Sequence, residues 1–139
     1  MAARRVERLQ GLKQELEKAY PSVTVTAVQL DVRNKKEIDE VVAQSPPVDI
    51  LVNNAGMVLG MDPLEKVDET EFDQMIATNV KGLVFLTQAV IPTMRERQAG
   101  HIINLGSIAG KQAYANGSIY CGRNTLKGLS SQRLSDVVD

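Results

Sequence analysis

Only one cysteine, Cys121, and one histidine, His101, occur in the 139 residues. A lone cysteine excludes a disulfide scaffold and a cysteine-based metal site. A lone histidine removes most zinc chemistry and argues against a Ser-His-Asp triad. Neither sign of charge is in excess: 16 Lys+Arg stand against 17 Asp+Glu, a net charge of −1. No basic surplus therefore draws nucleic acid or an anionic membrane, and no acidic block forms a solvating tail. No apolar run approaches the ~20 residues of a membrane span. No secretory signal, repeat or low-complexity stretch is visible. Arg4, Arg5 and Arg8 give the start the look of a transit peptide, but Glu7, Glu15 and Glu17 point to a surface helix of mixed charge. These absences describe a cytoplasmic protein with no nucleic-acid, membrane or metal partner. What is present is ordinary: 43% hydrophobic and 24% charged residues, in a length that suits one domain.

Helix and strand patterns alternate along the chain. Val6, Leu9, Leu12 and Leu16 predict a helix over about 3–19, which Pro21 ends. The β-branched run Val23–Leu30 predicts a strand, Asn34 caps a helix through about Gln44, and Asp49–Val52 reads as a short buried strand. Asp68 with Glu71 three residues on is the capping-box pattern. It opens a long helix whose apolar stripe holds Phe72, Met75, Ile76, Leu83, Leu86 and Val90, with Pro92 expected to disturb its last turns. His101–Leu105 reads as a strand and about 118–135 as a last helix. Such alternation predicts βαβ units and a parallel sheet.

Ligands of open parallel sheets bind outside the carboxyl ends of the strands. There the chain places Asp31-Val32, Asn53-Asn-Ala-Gly56 and Gly106-Ser-Ile-Ala-Gly110, small or polar residues in all three cases. Any one of these could be only a turn; three in register suggest a shared crevice. Ser107, on a strand end, and Tyr120, at a helix start, could hold a carbonyl between two hydroxyls. A phenol of pKa about 10 works poorly near neutrality unless a cation lowers that value. A lysine at i+4 would share the tyrosine's face; here that position is Asn124.

Asn53-Asn-Ala-Gly56, Asn79 in Thr-Asn-Val-Lys-Gly, Gly106-Ser107 and Gly117-Ser-Ile-Tyr120-Cys121 together resemble the short-chain dehydrogenase/reductase family. The stretch Gly100–Gly110, then Ala113-Tyr114 and Gly117–Cys121, is similar to its NADP-dependent 3-hydroxy acid (serine or allo-threonine) dehydrogenase branch. The resemblance runs from about Ala2 to the end, and the interval from Ser107 to Tyr120 fits it. It implies an oxidoreductase that exchanges hydride between NADP(H) and a small alcohol, ketone or 3-hydroxy acid. Tyr120 would be the general acid/base, Ser107 would bond the substrate oxygen, and Asn79 would hold a water in the proton relay. Asp31 would approach the adenine, with Val32 giving backbone contacts, and Asn54 would line the nicotinamide-side ribose. Arg4 or Arg5 would meet a 2′-phosphate and favour NADP. Tyr114 would border the substrate. The family pattern also implies a homo-oligomer built on the long helix and the Tyr120 helix. Cys121 and His101 read as structural.

The chain departs from the family pattern in two ways. No strand with a glycine-rich turn, the family's pyrophosphate cradle, precedes Arg4, and the strands of the substrate side do not follow. The expected architecture is therefore α/β, an incomplete Rossmann-type parallel sheet with flanking helices over residues 1–139, lacking the first strand and the C-terminal strands. Asn124 also replaces the family lysine that holds the ribose and lowers the tyrosine pKa; Arg123 and Lys127 are poorly placed to stand in for it. The expectation is a middle portion of an oxidoreductase, inactive and weak in NADP binding when alone. A catalytically dead interaction module or truncated gene product is the other reading.

Overall fold

The computed structural model describes residues 1–60, 62–107, 109, 121 and 132–133. Strand β1 (Ala2–Ala3) precedes helix α1 (Val6–Ala19), so the helix starts later than its apolar spacing predicts. The reason is pairing: Met1 O accepts from Val28 N–H at 2.9 Å and Ala3 O from Leu30 N–H at 3.0 Å. The pairing also explains why the strand expected over Val23–Leu30 is only β2 (Val28–Gln29): its parallel partner is two residues long. Val25 and Leu30 are nonetheless buried. Helix α1 buries none of its residues fully, and Leu12 stays 42% exposed.

Helix α2 (Lys35–Ala43) begins where Asn34 predicts. The Asn34 side chain accepts from Lys36 N–H and Glu37 N–H, and Ile38 is fully buried. Strands β3 (Ile50–Asn53) and β4 (His101–Asn104) pair in parallel, from Ile50 opposite His101 to Asn53 opposite Asn104. Between them runs helix α3 (Glu69–Ile76), a π-helical turn over Ala77–Lys81, and helix α4 (Gly82–Glu96). Asp68 caps α3 by accepting from Glu71 N–H at 3.0 Å. Helix α4 continues past the exposed Pro92 to Glu96. Val90, Met94 and Ile102 form a core patch with Leu51, Val42, Val48 and Ile91 against it. The apolar stripe is only partly inward: Met75 and Val90 are buried, whereas Phe72 is 37% exposed.

The helical run Glu69–Glu96 is long and apolar enough, by length and composition, to cross a bilayer. Its α4 half packs against β3 and α2, as a core helix does. Residues Gln132–Arg133 form strand β5, antiparallel to β4, rather than helix. The far edge of β4 carries unpaired amides and carbonyls, and an extended segment satisfies them where a helix cannot. The rest of the helix expected over 118–135 lies outside the described residues, apart from Cys121, which is helical and buried.

The strands form two sheets, β1-β2 and β3-β4-β5. On a parallel strand, alternate residues point their amide and carbonyl to opposite neighbours. Asp49 O and Asn53 O accept from His101 N–H and Leu105 N–H, so the backbones of Ile50 and Val52 face away from β4. By the same rule Met1 and Ala3 face β2, and Ala2 faces away from it. No strand among the described residues pairs with either outward edge. Ile50 and Val52 side chains are 59% and 51% exposed.

Candidate active site

All four parallel strands end on one side of the molecule. Helix α4 starts beside the loop after β2: a Cβ placed on Gly82 would lie 2.8 Å from Val32 Cγ2 and 2.9 Å from the Val32 carbonyl oxygen. Just beyond its other end, Arg97 donates to Asp49 Oδ1 at 2.5 Å and to Val48 O at 2.8 Å, at the entry to β3. The exit of β3 therefore lies toward the start of α4, where Val32 already sits. Arg4, Asp31, Asn54 and Ser107, each just past a strand end, share that side. This is the arrangement in which an open α/β sheet binds ligands.

Asp31 is the most tightly organised of them. Both its oxygens accept from Arg33: Nε to Oδ1 and Oδ2 at 3.0 Å, Nη2 to Oδ2 at 2.6 Å, and the backbone N–H to Oδ1 at 3.0 Å. The Asp31 N–H donates to Glu37 Oε2 at 3.0 Å, and Glu37 Oε1 accepts from the Asn34 side chain at 2.8 Å. The hydrogen-bonded Arg33 guanidinium holds the Asp31 carboxyl below its ordinary value against the opposing effect of partial burial; the Arg33 N–H and the charges of Arg33 and Arg4 add to the lowering. Arg4 and Arg5 are exposed, and the Arg4 carbonyl lies 3.5 Å from Gln29 Nε2.

Asn79 lies in the π-helical turn and is fully buried. Its Oδ1 accepts from Met57 N–H at 2.8 Å and its Nδ2 donates to Met57 O at 2.9 Å. The side chain thus clamps the loop that follows Gly56, a task the residue pattern alone does not show. Thr78 Oγ1 adds a bond to Met57 Sδ at 3.3 Å. Asn53 is buried and donates to Thr87 Oγ1 at 3.1 Å and Asn104 Oδ1 at 2.9 Å, which ties the ends of β3 and β4 to α4. Asn54, next in line, is exposed. Ser107 Oγ accepts from Ala109 N–H at 3.2 Å, a bond that leaves its own proton available to donate. Tyr114, Tyr120, Asn124, Arg123 and Lys127 lie outside the described residues.

Arg33 and the Asn53–Thr87–Asn104 network are the site features missed by residue reading. Arg33 had one signal, its place two residues after Asp31. Asn53 was readable as the start of the Asn53-Asn-Ala-Gly56 strand exit but its bonds were not, because its partners lie 34 and 51 residues away.

The exposed exits suit a nucleotide. A fixed carboxylate can meet an adenine amino group, exposed arginines can meet phosphate, and the exposed Asn54 can meet a ribose hydroxyl. The family model for short chain dehydrogenase matches residues 1–129. The NADP-dependent 3-hydroxy acid dehydrogenase YdfG of Escherichia coli K12 is 50% identical over 121 residues, covering 84% of this chain and 47% of that protein. The crystal structure of serine dehydrogenase from Escherichia coli superposes with a TM-score of 0.80 at 47% identity, over 90% of this chain and 57% of that one. The closed form of serine dehydrogenase complexed with NADP+ gives a TM-score of 0.78 at 46% identity, over 90% and 50%. The chain spans about half the length of these relatives.

Proposed function

This chain belongs to the short chain dehydrogenase family, and from that premise we propose that it carries the dinucleotide and substrate-oxygen residues of an NADP-dependent oxidoreductase for small 3-hydroxy acids. The observation that carries this reading is the convergence of Arg4, Asp31, Asn54 and Ser107 at one end of the strands. Asp31, Val32 and Arg4 or Arg5 hold the adenosine end with its 2′-phosphate, and Asn54 holds the nicotinamide-side ribose. NADP+ supplies, when bound, the acceptor for the substrate's hydride. Ser107 donates its hydroxyl proton to the substrate oxygen. Tyr120 takes the proton from that oxygen during oxidation and returns it during reduction, and Tyr114 borders the acid. Asn79 keeps loop 57–60 against the π-helical turn. We place this partial dinucleotide-binding domain in the cytoplasm, assembled as a homo-oligomer through the long helix, whose Phe72 and Val84 are exposed, and the helix of Tyr120.

Asn124 sets the limit on turnover. An amide lacks the positive charge with which the family ammonium would favour the Tyr120 phenolate, and proton transfer near neutrality is slow. The peptide 1–139 supplies the adenine and ribose contacts of this proposal without the glycine-rich pyrophosphate turn of the family pattern. Titrated with NADPH, it is expected to show no micromolar saturation of nicotinamide fluorescence, and saturation there would overturn that part of the reading. In a chimera that adds the rest of the Escherichia coli relative, Asn124→Lys is expected to raise kcat at pH 7 at least ~10-fold and to shift the alkaline rise in rate to lower pH. Equal rates and profiles would show that another group tunes Tyr120.

A further inference from the structure

We infer that Arg33 is a positioning residue for the adenosine end of the dinucleotide, acting through Asp31, whose carboxylate it holds in one orientation. The inference rests on the proposed reading of Asp31 as an adenine contact. An aspartate on an exposed loop ordinarily rotates through several rotamers, and a ligand must pay that ordering cost on binding. Here the cost is met beforehand. The planar guanidinium grips both carboxylate oxygens, a geometry that a lysine cannot reproduce.

The rest of the loop is held as well. Glu37 binds the Asp31 N–H, Asn34 binds Glu37 and caps α2, and Val32 abuts Gly82 of α4. The Asp31 carboxylate stays a quarter exposed, so it is fixed yet reachable. Arg33 itself is poorly placed as a phosphate ligand. It borders a cleft whose other lining residues include Glu69 and Asp73 of α3, and two carboxylates there repel an anion. Arg4 differs: it carries a positive charge toward Asp31 and makes no ion pair of its own among the described residues.

The test uses this chain, with adenosine 2′,5′-bisphosphate as probe and amide NMR shifts to register affinities down to the millimolar range. Arg33→Lys and Arg33→Gln are each expected to weaken binding about 3- to 10-fold, with far-UV circular dichroism unchanged. Asp31→Asn is expected to weaken it similarly, and Arg33→Gln in the Asp31→Asn background is expected to add nothing further. Acid titration gives a second readout. Among the described residues, the charged groups facing the Asp31 carboxylate are Arg33 and Arg4, with Glu37 on its backbone. Because Arg33 holds the carboxyl below its ordinary value of about 4, the wild type should keep affinity to a lower pH than Arg33→Gln. Wild-type affinity and acid profile in Arg33→Gln would overturn the inference, as would a full additional loss in the double variant, which would make Arg33 a direct ligand. A wild-type chain showing no saturable shifts would overturn the dinucleotide reading itself, and this inference with it.

Discussion

At the scale of single residues, the chain uses side-chain amides as backbone substitutes. Asn79 meets the N–H and the carbonyl of Met57 as a neighbouring strand would. It does so with no solvent exposure of its own. Leaving a buried donor or acceptor unpaired costs about 1–3 kcal/mol. Asn79→Leu keeps the volume and removes both bonds, and is expected to lower unfolding free energy by about 2–5 kcal/mol in urea melts. A loss below about 1 kcal/mol would show that water reaches Met57 and that the clamp is incidental. Asn79 was legible as a family position but its bonds were not. Its partner lies 22 residues away, and a polar residue in mid-helix reads equally well as a water ligand. Asp31 is the opposite case: position and local turn were readable, and Arg33 sits close enough to be found by inspection.

At the scale of elements, the caps were readable and the strand lengths were not. Asn34 and Asp68 accept from N–H groups two or three residues on, so a short window contains the whole interaction. Strand β2 is cut to two residues by the shortness of β1, which its own β-branched sequence cannot signal. The long helix was readable as a stripe, but its π-helical turn was not. That turn carries Asn79 to Met57 and leads directly into Gly82, where α4 meets the Val32 loop. Gly82→Ala tests this junction. Helix propensity favours alanine by about 1 kcal/mol. The new methyl would sit 2.9 Å from a backbone carbonyl oxygen, which cannot rotate aside, and such overpacking costs about 1–3 kcal/mol. A net loss of about 1 kcal/mol is expected by chemical denaturation. A gain would mean the loop yields freely and that Val32 is not held by α4.

At the scale of the whole molecule, the feature that matters most is the division into two sheets with outward-facing edges. The Ile50 backbone and the Val52 N–H face outward beside exposed apolar side chains, the combination that invites edge pairing between chains, although the Val52 carbonyl already accepts from Asn54 N–H at 3.1 Å. The expected outcome is association that rises with concentration in sedimentation velocity. Val52→Lys is expected to reduce it while keeping the circular dichroism of the parent, because the side chain is already half exposed. A wild-type chain that stays monomeric and melts reversibly at all concentrations would remove the case for a reactive edge.

The order of amino acids by itself determined the alternation of helix and strand, the helix caps, and the small and polar residues that follow each strand. These depend on neighbours within a few positions. Only the tertiary structure decided that the strands close into two sheets, that Gln132–Arg133 adds as an antiparallel strand, and that Asn53 and Asn79 lock distant segments together. The physical reason is that a backbone amide or a buried side chain must find a partner wherever the fold brings one, and those partners lie tens of residues away along the chain.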